Sequence, residues 1–306
     1  MEFNFLKLIF TLKLEEDIAD THLLFAIRTV FTAIFRNAVG CGRENCVKCK
    51  IAIDCPYDQI FSQAISPNSS AVKRFQKPPL PFVFDLPILP PLPNREGRCE
   101  IGLTLVGLAV NHVRLFLDAV GFMFGHQDSR WSEVASVVKI ESLDYLCNRT
   151  IISQNGSRAA LDRFFIHSME GLEKSAFLST DAVSLTFDTP LRIVKDGHPL
   201  RELSFPALAM ALIRRMSSMA FYYCFMEMDL DYKSMSRQSQ EVSISSNGFR
   251  WTEWDKGMSG IIGSGTFTGP MVEFHPFLLL GEFLHVGKGA SYGLGRYRLE
   301  KRRVTA

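Results

Sequence analysis

Apolar and polar residues alternate from Phe3 to Leu14, the two-residue period of a half-buried strand. Asp17, Asp20 and Thr21 then supply helix-start signals. Leu23, Ile27, Val30, Phe31, Ile34 and Ala38 recur at helical spacing until Gly40, with His22, Thr29, Thr32 and Arg36 on or near the opposite face. A loop from Cys41 to Cys55 follows, and then a proline-rich stretch from Ser66 to Pro93. Its one extended apolar run, "PFVFDLP", reads as an edge segment or irregular connection, because proline donates nothing to a strand ladder. Arg98–Val106 is strand-like, Val110–Phe124 helix-like and Glu133–Leu143 strand-like again. This is the β-α-β-β-α-β order of the ferredoxin-like motif.

The second half repeats the order. Ala182–Val194 reads as a strand or hairpin arm, and Phe205–Met226 as a helix carrying Arg214 and Arg215. Ser234–Asn247 is polar and is expected to be mobile. Phe249–Trp254 and Gly260–Thr268 read as short strands, Met271–Val286 as a helix interrupted early by Pro276, and Leu294–Glu300 as a last strand. The pattern predicts an α+β chain of two tandem ferredoxin-like domains, with the boundary inside Asn148–Thr180 and the chain divided as residues 1–160 and 161–306.

Composition adds a packed core but no strong charge signal. The chain has 306 residues, 47% hydrophobic and 22% charged, with a formal net charge of +2. Binding to a polyanion would therefore depend on local clusters. The most apolar stretch, Ile101–Gly125, contains Asn111, His112, Arg114 and Asp118, too many polar groups for a membrane span. The N-terminus lacks the marks of a signal peptide. A cytoplasmic protein without membrane contact is expected.

One loop stands out. "HVGKGASYGLGRYRLEKRR", from His285 to Arg303, places Gly287, Gly289, Gly293 and Gly295 between the last predicted helix and the last strand. Glycines there free the backbone for positive φ and close ligand approach, and exposed N–H groups in such a loop form an anion-binding concavity. Lys288, Arg296 and Arg298 add charge, followed by Lys301, Arg302 and Arg303, and Tyr292 and Tyr297 offer stacking surfaces for bases. The pattern is not a nucleotide P-loop, which follows a strand and opens a helix. The competing reading is a glycine-rich turn required only for tight packing.

A second cluster is "CGRENCVKCKIAIDC", with Cys41, Cys46, Cys49 and Cys55 spaced C-x4-C-x2-C-x5-C. So dense a group in a reducing compartment favours a metal over disulfides. Zinc held by four thiolates fits, with an iron–sulfur cluster or no metal as the alternatives.

"HVGKGASYGLGRYRLE" resembles the C-terminal glycine-rich motif of the RAMP superfamily, and more closely that of its CRISPR repeat-processing endoribonucleases. "FDTPLRIVKDG" with "FPALAMALIRRM", and "SGTFTGPMVEFHPFLLLGEFLHVGKG", are similar to the family's elements that open and close the C-terminal domain. The cysteine loop with "CPYDQIF" resembles one found in a branch of the family. The resemblance implies tandem RRM-like folds and binding of CRISPR repeat RNA. It also implies one cut per repeat without a catalytic cofactor, by attack of a ribose 2′-OH that leaves a cyclic phosphate. Other CRISPR effector subunits are further expected partners. Backbone contact to RNA is implied at Gly287, Lys288, Gly289, Gly293, Gly295 and Arg296, with Tyr292, Arg214 and Arg215 as additional RNA-binding candidates.

Such chemistry needs a base, an acid and cations. Relatives of this branch carry a Phe-Gly-His pattern on the first helix, and the histidine position falls here at Ala33, after Phe31 and Thr32. His22, at the start of that helix, and His285 with Lys288, at the loop, are the remaining catalytic candidates. The plainer readings are an exposed helix-start residue for His22 and a partly buried helix terminator for His285. The alternative function is a catalytically silent repeat-RNA-binding relative, or a structural RAMP subunit of an effector complex.

Overall fold

The computed structural model describes residues 2–14, 20–41, 49, 54–66, 77–89, 97–125, 131–175, 179, 181–254 and 257–300. The chain packs as two compact units. The first holds Phe5–Ile65 and Leu80–Ile166, and the second holds His167–Ala306 together with Met1–Asn4 and Ser66–Pro79.

In the first unit the elements run β1 (Asn4–Leu14), α1 (Ile27–Ala38), α2 (Pro56–Phe61), β2 (Phe82–Asp85), β3 (Arg98–Val106), the short α3 (Leu108–Asn111), α4 (Val113–Gly125), β4 (Ala135–Leu143) and β5 (Arg149–Gln154). The strands lie in the order β2-β3-β1-β4-β5, every pair antiparallel. The first four are in ferredoxin-like order, and β5 is added beyond β4. The proline-flanked β2 sits at the edge, where its neighbours need no ladder partner. Leu8, Phe10 and Leu12 are buried on one face of β1. The unit's core is aromatic. Phe31 of α1 meets Phe84 of β2 edge-on at 4.8 Å, and Phe35 meets Phe116 of α4 at 4.8 Å. Such pairs contribute about 0.5–1.5 kcal/mol beyond the burial of their area.

β6 (Ile166–Ser168) spans the point where the chain passes to the second unit. There follow α5 (Met169–Ser175), β7 (Ala182–Leu191), the small hairpin of β8 (Val194–Lys195) and β9 (His198–Pro199), α6 (Phe205–Tyr223), α7 (Tyr232–Ser239), β10 (Ser243–Asn247), β11 (Arg250–Trp254), β12 (Met258–Thr268), α8 (His275–Leu284) and β13 (Tyr297–Leu299). The sheet order is β10-β12-β7-β13, with β11 also on β12, again antiparallel. A second ferredoxin-like order results.

Two expectations change. Pro276 lies in the first turn of α8 and starts that helix instead of interrupting it. Ser234–Asn247, expected to be mobile, is structured. Asp231 caps α7 by accepting the N–H groups of Lys233 and Ser234, each at 3.0 Å. Met235 anchors that helix in the core, and the serine-rich β10 is held by its ladder to β12.

Candidate nucleic-acid interface

The loop joining α8 to β13 is fixed from below by backbone bonds. The His285 N–H donates to Gly281 O at 2.8 Å and closes the helix. The Val286 N–H donates to Gly295 O at 3.2 Å, and the Gly295 N–H donates to Pro190 O at 3.1 Å. The Lys288 N–H donates to Arg192 O at 2.8 Å. Thr189, fully buried, pins the far side, since its hydroxyl accepts the Arg296 N–H at 2.8 Å and donates to Gly293 O at 2.8 Å. Backbone so thoroughly paired presents its remaining groups in a set geometry.

The glycines divide into two kinds. Gly295 is buried at φ +64°, and a Cβ there would overlap the Val286 carbonyl, so this position closes the turn. Gly293, also buried, shapes the same side. Gly287, at φ +87°, would bring a Cβ to 2.6 Å from Arg192 O. At the outer side Lys288 and Gly289 are exposed. Among the described residues the N–H groups of Gly287 and Gly289 make no hydrogen bond, and Lys288 has no ion-pair partner. The structure thus brings free donors and an ammonium together at 287–289. The expected direct contacts at Gly293 and Gly295 give way to a shaping role, because both are inside.

The other expected RNA contacts separate in the same way. Tyr292 is half-buried. Arg296 lies 3.6 Å from Asp188, and Arg298 grips the same carboxylate with two bonds of 2.8 Å. Tyr297 is not a stacking surface. It is buried, and its hydroxyl donates to Leu278 O at 2.6 Å, over a helix position where Gly281 leaves room for the ring. Arg214 is exposed, with no ion pair among the described residues. Arg215, by contrast, is spent inside the unit. Its Nε donates to Leu284 O at 3.0 Å, one terminal nitrogen faces Ser291 Oγ at 3.5 Å, and burial pulls the guanidinium down to about 10. It braces the loop instead of offering charge to a ligand.

His285 is also a correction. Its side chain is fully buried, and a proton donor or acceptor for RNA has to reach the RNA. His22 belongs to the first unit, where it precedes a 3-10 turn over Leu23–Ala26. Its N–H donates to Asp20 Oδ1 at 2.8 Å, and its ring stands edge-on to Phe25 at 6.4 Å. It is half-buried. Ala33 is exposed on α1. The structure does not bring His22 and Lys288 into one unit.

Of the four clustered cysteines, Cys41, Cys49 and Cys55 are half-buried thiols, and Cys46 lies outside the described residues. Among the described residues no three potential ligands gather as a metal site. Lys301, Arg302, Arg303 and His126 also lie outside.

Sequence reasoning missed Asp188, Thr189 and Arg192, all within "FDTPLRIV". The stretch carries part of the family resemblance, but its polar pair and its proline, which break an alternating strand, point to an irregular strand end and not to what these residues hold.

Comparisons with known proteins bear on the family and the fold. The family "CRISPR-associated endoribonuclease Cas6" matches residues 185–297, and the AF_1859_N family of N-terminal domains matches residues 3–163. No curated protein matches the sequence. Thermus thermophilus Cas6 superposes with a TM-score of 0.55 at 14% identity, over 98% of this chain and 100% of that one. A Cas6 product complex gives 0.54 at 16% identity, over 98% and 100%. A partial Cas6-RT-Cas1–Cas2 complex gives 0.58 at 13% identity, over all of this chain; this chain spans 47% of that one, and 30% of its counterpart in the Cas6-RT-Cas1–Cas2 complex. The match over residues 3–163 spans more than half of the chain, so the chain belongs to the AF_1859_N family, while residues 185–297 are similar to the Cas6 endoribonuclease model and the solved Cas6 structures share its fold.

Proposed function

We propose that this chain binds CRISPR repeat RNA and cuts it within the precursor transcript. The observation that carries the reading is the glycine loop at 287–289, where among the described residues the N–H groups of Gly287 and Gly289 make no hydrogen bond and the exposed Lys288 between them has no ion-pair partner. Donors and a cation held rigidly are what a phosphodiester requires. In the cut, the 2′-oxygen loses its proton to a base and attacks the adjacent phosphorus. The bond to the 5′-oxygen breaks, and that oxygen takes up a proton. A 2′,3′-cyclic phosphate and a 5′-OH remain. Lys288 is the candidate for stabilising charge on the phosphoryl oxygens, and His22 the candidate for proton transfer.

The match of residues 185–297 to the Cas6 model supports an endoribonuclease, and the solved structures of similar fold include a Cas6 product complex and a partial Cas6-RT-Cas1–Cas2 complex. Association with other CRISPR proteins is proposed on that likeness. No helix among the described residues is long and apolar enough to cross a membrane. A structural zinc on Cys41, Cys46, Cys49 and Cys55 is proposed from their spacing, and metal content before and after changing Cys41 and Cys55 to serine tests it.

The deciding experiment uses labelled repeat RNA in EDTA, with a parallel set carrying a single 2′-deoxy at each position. One cut, abolished by one deoxy substitution, is expected. A second reading is favoured by a specific observation, the exposed alanine at position 33, where the family resemblance implies a histidine. On that reading the protein holds repeat RNA without cutting it, and tight binding without cleavage in the same assay would establish it.

A further inference from the structure

The face of the first unit's sheet that lies opposite to Leu8, Phe10 and Leu12 carries a cleft of about 700 Å³, with Thr11, Arg98, Glu100, Lys139 and Gln154 in its lining. The strand register explains why these residues meet. Thr11 of β1 stands opposite Glu100 of β3 on one side and Lys139 of β4 on the other, and Lys139 stands opposite Gln154 of β5. Residues directly opposite each other point to the same face, so the four side chains form one row across four strands. Two residues further along β1, Lys13 stands opposite Arg98 on that same face.

Charge is distributed unevenly here. The cations of the row are already paired. Lys139 lies 3.0 Å from Glu141, and Arg149 grips Glu100 with both terminal nitrogens, one of them at 2.9 Å. The hydrogen bonds from Arg149 hold the Glu100 carboxyl below its usual range, so it stays an ionised acceptor. Thr11 is buried, and its hydroxyl has no hydrogen-bond partner among the described residues. Lys13 and Arg98 are both exposed, and among the described residues neither has an ion-pair partner. Like charges directly opposite each other on adjacent strands are unfavourable. An anion between the two removes that repulsion and gains charge-assisted hydrogen bonds from the ammonium and from the guanidinium fork.

Two unpaired cations match the two charges of one phosphate monoester. A polynucleotide needs cations repeated along its path, and the row beside the pair has no unpaired one. What the row offers is a carboxylate, a hydroxyl, an ammonium and an amide in succession, donors and acceptors of the kind that meet the edge of a nucleobase. We infer that this cleft binds a nucleoside monophosphate, with the phosphate between Lys13 and Arg98 and the base along the row from Glu100 to Gln154. The cleft belongs to the first unit and the glycine loop to the second, and the inference does not depend on RNA binding or cutting.

Calorimetric titration of the full chain at about 50 mM salt, where exposed charges are only partly screened, compares AMP, CMP, GMP and UMP with their nucleosides and with inorganic phosphate. At least one monophosphate is expected to bind about tenfold or more tightly than its nucleoside and than inorganic phosphate, the effect of charge-assisted contacts added to base contacts. Lys13→Gln and Arg98→Gln are each expected to weaken that monophosphate about tenfold and to leave the nucleoside unchanged. Gln154→Ala is expected to change the order of preference among the four bases. Without ligand, the urea midpoint of Lys13→Gln is expected to equal or exceed that of wild type, because a like-charge pair is removed, so lost binding is not lost folding. A lowered midpoint would deny the repulsion and overturn the inference. Binding of none of the four at millimolar concentration would overturn it as well. A monophosphate bound no better than inorganic phosphate would reduce the cleft to an anion site, and one bound equally by wild type and both glutamine variants would place the ligand elsewhere. Displacement of the nucleotide by repeat RNA, molecule for molecule, would make the cleft part of an RNA path, and the assignment to a small ligand would fall.

Discussion

Gly295 and Gly289 sit in one loop at positive φ, yet they are expected to tolerate a methyl group very differently. At Gly295 the added Cβ overlaps a backbone carbonyl, that of Val286, which the bond from the Val286 N–H to Gly295 O holds in place. At Gly289 it meets Leu294 Cδ1 at 2.8 Å, the far end of a side chain that has rotamers to move through. Gly295→Ala is therefore predicted to cost about 2–4 kcal/mol of stability, the range of a severe steric and backbone change. Gly289→Ala is predicted to cost about 1 kcal/mol, the penalty of left-handed backbone alone. RNA affinity should fall in both, in the second because the methyl group pushes against Leu294 and shifts the exposed tip. Urea unfolding and RNA titration of the two variants check this, and a Gly295→Ala protein as stable as wild type would remove the shaping role assigned to the inner glycines. The distinction is a residue-scale fact that no motif shows. In the sequence all four glycines look alike, and His285 looks as available as Lys288; only tertiary packing separates the buried from the presented.

At the scale of elements, periodicity reads well wherever a face is buried. Arg98–Val106 has the bounds read from its pattern, because its residues from Ile101 to Val106 are all buried and apolar but for Thr104. It reads poorly for α7 and β10. In α7 only Met235 and Ser239 are buried, too few to make a stripe, and the helix depends on the Asp231 cap. β10 is held by ladder bonds, which carry no side-chain signature. His112, between α3 and α4, has its Nε2 2.7 Å from Oε1 of Gln59 on α2, and burial holds its pKa below the ordinary histidine value. A histidine depressed in the folded state binds fewer protons there than when unfolded. Its effect is thus absent above the unfolded value of about 6.5, and stability falls as pH drops through that value toward the folded one. His275 is displaced in the same direction, also by burial. Wild type is predicted to lose stability to urea between neutral pH and mildly acidic pH, and His112→Asn to lose less over the same interval. A variant with the wild-type slope would assign the acid sensitivity elsewhere.

The whole molecule is less linear than its sequence. A cut at 160/161 gives two tidy repeats on paper, but the second unit also draws on Met1–Asn4 and Ser66–Pro79. These pieces satisfy its polar groups. The Tyr223 hydroxyl donates to Pro79 O at 2.7 Å, the Ser66 N–H donates to the Tyr222 oxygen at 3.2 Å, and the Cys224 thiol faces Asn4 at 3.9 Å. Tyr223 is buried, and burial raises its phenol well above the usual range, so it remains a neutral donor that needs an acceptor. In the full chain Tyr223→Phe removes that bond and is predicted to cost about 0.5–1.5 kcal/mol. In a fragment of residues 161–306 the acceptor is gone with Pro79. The same substitution should there cost nothing, or gain slightly by removing a stranded hydroxyl. The difference between the two effects, read from urea midpoints at equal slope, measures what residues 66–79 contribute to the unit at that point. A fragment that fails to fold beside a full chain that folds carries the same conclusion, because the unit then depends on chain that comes before it in sequence. Equal penalties in fragment and full chain would show that Tyr223 finds its acceptor within residues 161–306, and that the second repeat is a self-sufficient domain after all.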